Sequence, residues 1–426
     1  MSVVRLRPGS VSGTVRAPPS KSYTHRALVA AHLARRPYRV ENPLFSDDTV
    51  RTAEAIRALG SRVEAGRDRW TVSPDTATTP SPSRRIDCGE SGTTLRFVTT
   101  LAALSDRSAT LVGRGRLPVR PMGPLLEALA ALGVTVKHPK GGRSLPLTVR
   151  GPLHGGSVNI RGSESSQFVS SLLLALPTVA PDSAVRVIGP LVSEPYVAAT
   201  LAVLRKSRLR WTVRGTRYAI PGGQTYRGSS FRVPGDASSA AYLWAAAAIA
   251  GGRVTVKGLS DRWPQADLAV LGLLEDYGAE VRQEADSVTV RGSPLRRPLR
   301  VDLTGTPDLY PLAGVLAAAA PGESRLRGAS HVAHKESDRR QGTSALAVAM
   351  GARVEDRSGA LVVTGTAKPR SFALRGALDH RIVMSAAVGA LAGSGPSMIS
   401  DGRAVGKSYP AFWEALRTIA GRESVG

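Results

Sequence analysis

A chain of 426 residues exceeds one ordinary hydrophobic core and, at roughly 100–200 residues per domain, reads as about two domains. It has no apolar run of 18 residues and no signal-peptide core in MSVVRLRPGSVSG. Its one cysteine, Cys88, excludes an internal disulfide and fits a reducing, cytoplasmic setting. The net charge of +24, with 49 arginines and 8 lysines, points to acidic partners. Those basic residues are spread without a tail or aromatic-interleaved patch, which argues against nucleic acid and leaves most as solvated surface.

In chain order, APPSKSYTHRALVAAHLA (17–34) opens the first helix, with Lys21, Ser22 and Arg26 in its first turns and Ser22 and Arg26 on one face. EAIRALGSRVEAGRDRWTV then gives a helix ending at Gly60 and a strand pair. CGESGTTLR starts the next helix, where Gly92 permits close backbone approach and Arg96 lies one turn on. GRGRLPVRPMG places Arg120 before a proline-opened helix that ends at Gly133. RGSESSQF starts a further helix. YVAATLAVLRKSRLRWTVRG closes that stretch with Ser207 in place of the glycine. PGGQTYRGSSFRVPG (221–235), near the midpoint, reads as the weakest join. Beyond it come PGDASSA, a helix ending at Gly278, TPDLYP, HVAHKESDRR, a helix ending at Gly351 and LDHRIV. In DGRAVGKSYPAFW, Lys407 stands just before Pro410, which is expected to open the last helix.

The recurrent glycines lie 73, 145 and 73 residues apart, so the chain holds six α/β units of about 70 residues, divisible as three and three. Each reads strand, helix, strand, helix, strand, strand, with glycine suited to a left-handed helix end. Six helix starts share small residues followed by charge. Helix N-termini carry unpaired N–H groups and partial positive charge, so repetition of this signature favours anion binding over plain capping. DGRAVGKS is not a phosphate loop: three residues separate Gly402 from Gly406 where four are needed. His331 and His334 are spaced like a metal pair, but no second close pair accompanies them, so no metal site is expected.

Ten motifs in register resemble the 5-enolpyruvylshikimate-3-phosphate synthase (3-phosphoshikimate 1-carboxyvinyltransferase) family of enolpyruvyl transferases. They are PPSKSYTHRAL, GESGTTLRF, RPMGPLLEALAALG, SSQFVSSLLLALP, SEPYVAATL, PGDASSAAY, PDLYPLAG, HKESDRR, DHRIVMSAAVGAL and GKSYPAFWEAL. The resemblance implies two domains, each of three βαβαββ units, with the active site in the interdomain cleft. Residues 1–17 join 232–426, and 18–231 form the inserted domain. It implies Lys21, Asp308 and Glu336 as catalytic residues. Lys21, Ser22, Arg26, Ser165, Ser166, Gln167, Ser193, Tyr196, Asp308, His331 and Lys335 would bind shikimate 3-phosphate. Lys21, Gly92, Arg120, Gln167, Arg339, Arg381 and Lys407 would bind phosphoenolpyruvate. A monomer needing no cofactor, with no nucleic-acid or membrane partner, is expected.

Departures from the family pattern are Glu90-Ser91 for Asn-Ala, Ala333-His334 for Arg-Val at the start of AHKESDR, His331 for an asparagine, and Phe97 for a proline of some bacterial enzymes. Two alternatives remain for test. One is UDP-N-acetylglucosamine 1-carboxyvinyltransferase, whose reactive loop cysteine has no counterpart in GRGRLPVRPMG. The other is a non-enzymatic basic nucleic-acid-binding protein.

Overall fold

The computed structural model describes residues 3–75, 83–260, 262–328 and 330–426, and the chain forms two compact units. One is Pro19–Pro234; the other joins Met1–Pro18 to Gly235–Gly426.

Within Pro19–Pro234, three four-stranded sheets share one plan. The middle copy runs Ser83–Asp87, helix Gly92–Ala102, Ser108–Val112, helix Gly123–Ala131, Thr135–Lys137, Leu147–Arg150. Its first two strands pair in parallel because a helix crosses between them, and the last two add antiparallel. The copy from Ser157–Arg161 to Arg217–Ile220 repeats this arrangement. The copy at the start of the unit begins directly with helix Lys21–Leu33. Its missing first strand is supplied by Ser230–Arg232, which pairs in parallel with Tyr38–Glu41. That strand lies inside the stretch read as a join, so the division falls after Pro234 rather than after residue 231. Three residues are too few for alternation to stand out among Gly, Pro and Ser.

The second unit carries the plan three times more. Val11–Arg16 pairs in parallel with Gly252–Lys257, although the whole of Pro19–Pro234 separates them in sequence. Arg300–Asp302 pairs likewise with Gly322–Arg327, and Ala373–Leu374 with Ser397–Ile399. The last sheet has three strands: Val4–Leu6 from the chain start takes its third place, and Val425 adds a single bridge to Leu6.

In each unit the leading helices of the three copies form the centre. These are Lys21–Leu33, Gly92–Ala102 and Ser166–Ala175 in one, and Ala237–Ala250, Tyr310–Ala318 and His380–Ala390 in the other, all buried on nearly every face. A helix apolar all round belongs inside a core, which accounts for AAYLWAAAAIA. No helix among the described residues is long and apolar enough to cross a membrane. Small residues set helix spacing: a Cβ at Gly314 would collide with Thr343 of the neighbouring helix Arg339–Ala349.

Gly60, Gly133, Gly278 and Gly351 hold φ of 99°, 91°, 115° and 93° at helix ends. In the copy without glycine, Ser207 keeps an ordinary φ of −81°, and Arg208 takes the left-handed place at 57°. The substitute is therefore Arg208, not Ser207. Pro410 also differs from expectation: the last helix is Phe412–Ala420, and Pro410 lies in the turn before it.

Candidate active site

Within Pro19–Pro234 the candidate residues cluster at the starts of the three central helices. Lys21 Nζ donates to Asp48 Oδ2 at 3.1 Å. The Asp48 carbonyl accepts from Thr94 Oγ1, which ties Lys21 to the first turn of helix Gly92–Ala102. Gly92 leaves room for the Arg120 guanidinium: a Cβ there would lie 2.7 Å from its carbon and push that side chain aside. Arg120 thus rests against a helix N-terminus, its backbone held by Ser144 Oγ donating to the Arg120 carbonyl at 2.9 Å. Arg96 Nη1 donates to Gln167 Oε1 at 2.7 Å, and Gln167 Nε2 to Thr93 Oγ1 at 2.9 Å.

Arg26 is buried, 2% exposed. Its Nε donates to Thr200 Oγ1 at 2.8 Å, Nη1 to the Ser22 carbonyl at 2.9 Å and Nη2 to the Tyr196 carbonyl at 3.0 Å. All three acceptors are neutral. Burial lowers its pKa to about 10, with Tyr23 and Tyr196 acting the other way. Ser165 Oγ accepts from Gln167 N and caps helix Ser166–Ala175, whose first residue Ser166 is buried. Ser193 has a left-handed φ of 56°, and its carbonyl accepts from Tyr196 N at 3.1 Å, so a tight turn seats Tyr196. Glu90 folds across Gly115: a Cβ on that glycine would lie 2.9 Å from the Glu90 carboxyl carbon.

The second unit gathers carboxylates around two arginines. Arg339, 1% exposed, donates from Nη1 to Asp308 Oδ1 at 2.7 Å, from Nη2 to Glu336 Oε2 at 2.8 Å and from Nε to Asp379 Oδ2 at 2.9 Å. Arg381 Nη2 donates to the other Asp308 oxygen at 2.9 Å, and Nη1 to the Ser238 carbonyl at 3.2 Å. Burial opposes the charge of Arg339, but Asp379, Glu336 and Asp308 outweigh it and hold its pKa above the ordinary range. Burial likewise opposes Arg381, and Asp308, Tyr242, Asp267 and Asp236 outweigh it. Asp308 and Glu336 are therefore brought to one guanidinium.

His331 is buried in the turn Ser330–His334, which also holds Ala333 and His334. Burial, then the charge of Lys335, pushes its pKa down to about 4, so the imidazole is neutral near pH 7. Lys335 follows directly, half-buried. Lys407 ends the turn Gly402–Lys407, which packs on helix His380–Ala390.

Two carboxylates escaped sequence reasoning. Asp48 sits 27 residues from Lys21, and FSDDTV signals only a helix start. Asp379 caps helix His380–Ala390 through Arg381 N at 2.8 Å, and capping alone explained its place in LDHRIV. It also accepts from Ser337 Oγ at 2.9 Å and is the one fully buried acid bound to Arg339; that Coulombic contact draws its pKa below the usual carboxylate range against the effect of burial.

Comparison with known proteins bears on the family and the fold. The chain is 40% identical over 410 residues to 3-phosphoshikimate 1-carboxyvinyltransferase of Methanocorpusculum labreanum, covering 96% of each chain. It is 41% identical over 419 residues to that of Halobacterium salinarum, covering 96% of this chain and 97% of the relative. Among solved structures, EPSP synthase of Acinetobacter baumannii shares the fold with a TM-score of 0.83 at 23% identity, over 100% of this chain and 99% of that one. The enolpyruvyl transferase NikO of Streptomyces tendae shares it with a TM-score of 0.75 at 19% identity, over 97% and 96%. A sequence model of the family described as EPSP synthase (3-phosphoshikimate 1-carboxyvinyltransferase) matches residues 6–416, and the chain belongs to that family.

Proposed function

We infer that this chain transfers the enolpyruvyl group of phosphoenolpyruvate to the 5-hydroxyl of shikimate 3-phosphate and releases phosphate. This is the step of aromatic amino acid biosynthesis that its full-length relatives carry out, here performed by a cytoplasmic monomer. The observation that carries the reading at the site is the bonding of Asp308 and Glu336 to one buried arginine. The reaction needs two acid–base groups. The hydroxyl loses a proton as its oxygen bonds to carbon 2 of phosphoenolpyruvate, and carbon 3 gains one. The tetrahedral intermediate then loses phosphate and the carbon 3 proton. Asp308 serves the hydroxyl, and Glu336 or Lys21 serves carbon 3. No step calls for electron transfer or a carrier group.

Binding follows from the same contacts. Arg26, Ser22, Ser165, Ser166, Gln167, Ser193 and Tyr196 receive shikimate 3-phosphate, with His331 and Lys335. Lys21, Gly92, Arg120, Gln167, Arg339, Arg381 and Lys407 receive phosphoenolpyruvate. A substrate carboxylate reaching Arg339 and Arg381 exchanges one carboxylate for another: it takes the place of Asp308 and releases it toward the hydroxyl. The fixed cations then stabilise charge on the leaving phosphate without reorganisation.

Phosphate release from phosphoenolpyruvate, with and without shikimate 3-phosphate, tests the reading. Release only with the shikimate ester supports it. Release only with UDP-N-acetylglucosamine would replace it with the sister reaction. Against that alternative, Cys88 is buried, and burial pushes its thiol pKa far up, the opposite of a reactive thiolate.

A further inference from the structure

We propose that Phe97 is a positioning residue for shikimate 3-phosphate: its ring is the platform that fixes the Arg26 guanidinium while leaving its charge available to the phosphate. This rests on the reading of Arg26 as a ligand of that substrate.

Phe97 is 2% exposed in helix Gly92–Ala102, and the Arg26 guanidinium carbon lies 5.4 Å from its ring centroid. That is within range of attraction between a cation and the negative face of an aromatic ring. The remaining contacts of Arg26 are a hydroxyl and two carbonyls. A buried cation must be compensated. A carboxylate would do so fully but would compete with an incoming phosphate, as Asp308 occupies Arg381 in the other unit. A ring compensates in part and competes with nothing. Thr200, which holds Nε, is itself fixed by its hydroxyl donating to Ser170 Oγ at 2.9 Å. The guanidinium is thus set from its edges by neutral acceptors and from one face by Phe97.

The arrangement recurs in the repeats. Arg96, on the same central helix as Phe97, lies 5.3 Å from the ring of Phe168 on helix Ser166–Ala175. Arg381, on helix His380–Ala390, lies 5.9 Å from the ring of Tyr242 on helix Ala237–Ala250. Each pair joins two leading helices of one unit. In a chain with 5% aromatic residues, three buried arginines of leading helices each face a ring.

The test replaces Phe97 in the full chain by 4-fluoro-, 3,5-difluoro- and 3,4,5-trifluorophenylalanine, which nearly keep the ring's shape but withdraw charge from its face. Calorimetric titration with shikimate 3-phosphate and steady-state kinetics are the readouts. The expected result is a stepwise rise in Kd and KM for that substrate, reaching about three- to tenfold at the trifluoro ring, with kcat unchanged. Phe97→Leu is expected to weaken binding at least as much. Affinity that stays flat along the fluorinated series would overturn the proposal, even if Phe97→Leu binds weakly, because the ring would then act through packing alone. An unsubstituted chain that does not bind shikimate 3-phosphate would remove the functional reading itself, and this inference with it.

Discussion

The two units are built from the same repeat, yet they treat buried arginines in opposite ways. In Pro19–Pro234, Arg26 is held by neutral oxygens and a ring, and Arg96 by the Gln167 amide, a backbone carbonyl and a ring. In the other unit, Arg339 is saturated by three carboxylates and Arg381 is bound by one. Under the proposed function, an arginine without a carboxylate is open to an incoming anion directly. One with carboxylates also holds acids for proton transfer, and meets a substrate carboxylate only by exchange with Asp308. One fold yields both because the residues after each helix start are free to differ while the helices stay put.

The largest effect should come from the carboxylates. Asp308→Ala and Glu336→Gln are each expected to lower kcat by about 100- to 10,000-fold, as loss of a general acid or base does. Substrate affinity should change far less. Phosphate release under saturating substrates reads the first quantity and titration the second. A fall confined to affinity would mean that the acids only orient the arginines.

Removing one arginine from each unit sharpens the contrast. Arg339→Leu removes the guanidinium shared by Asp308, Glu336 and Asp379, of which Asp308 keeps Arg381, and breaking a buried pair of this kind costs about 3–5 kcal/mol. Arg26→Leu leaves only neutral groups behind, and the Ser22 and Tyr196 carbonyls lie inside helices with their own backbone partners. Its stability should stay within about 1 kcal/mol of the parent, while affinity for shikimate 3-phosphate falls about 10- to 100-fold with the lost charged hydrogen bonds. Denaturant unfolding and titration of both variants would separate the two roles. Equal destabilisation would erase the distinction.

Acid should weaken both units through buried and half-buried histidines. Burial first, then nearby cations, lowers the pKa of His25 and His32 in one unit and of His331 in the other, the latter two to about 4. The unfolded chain takes up these protons near pH 6.5, before the folded chain does. Stability is therefore full above about pH 6.5 and is lost as pH falls toward 4. His32→Asn, which keeps a polar side chain facing Ser61 Oγ, should flatten part of the decline in melting temperature between pH 7 and 5. An unchanged slope would place the loss elsewhere.

Much of this is legible in the sequence, because it is local. Glycine spacing announced the repeat, and small-then-charged helix starts announced where the candidate residues cluster. What stayed hidden was set by pairing across the sequence. Asp48 reaches Lys21 from the next helix, Ser230–Arg232 fills a sheet begun nearly 190 residues earlier, and Val4–Leu6 completes the last one. Phe97 read as a replaced proline, and only packing put Arg26 against it.

Arg208 shows the same limit at a single residue and gives the smallest test. Four helix ends place glycine in the left-handed conformation, where it carries no steric penalty. At the fifth, the sequence points to Ser207, one residue early, because serine is closer to glycine than arginine is. Arg208 holds φ of 57° with its side chain exposed, at a cost of about 1–2 kcal/mol for an L-residue, against about 0.5–1 kcal/mol for the extra chain freedom of glycine. Arg208→Gly should therefore stabilise Pro19–Pro234 by about 0.5–1 kcal/mol and raise its melting temperature by about 2 °C. Catalysis should not change, since among the described residues Arg208 has no hydrogen bond to a candidate residue and it follows a helix end rather than a helix start. A loss of stability instead would mean that its side chain contributes more than its backbone costs.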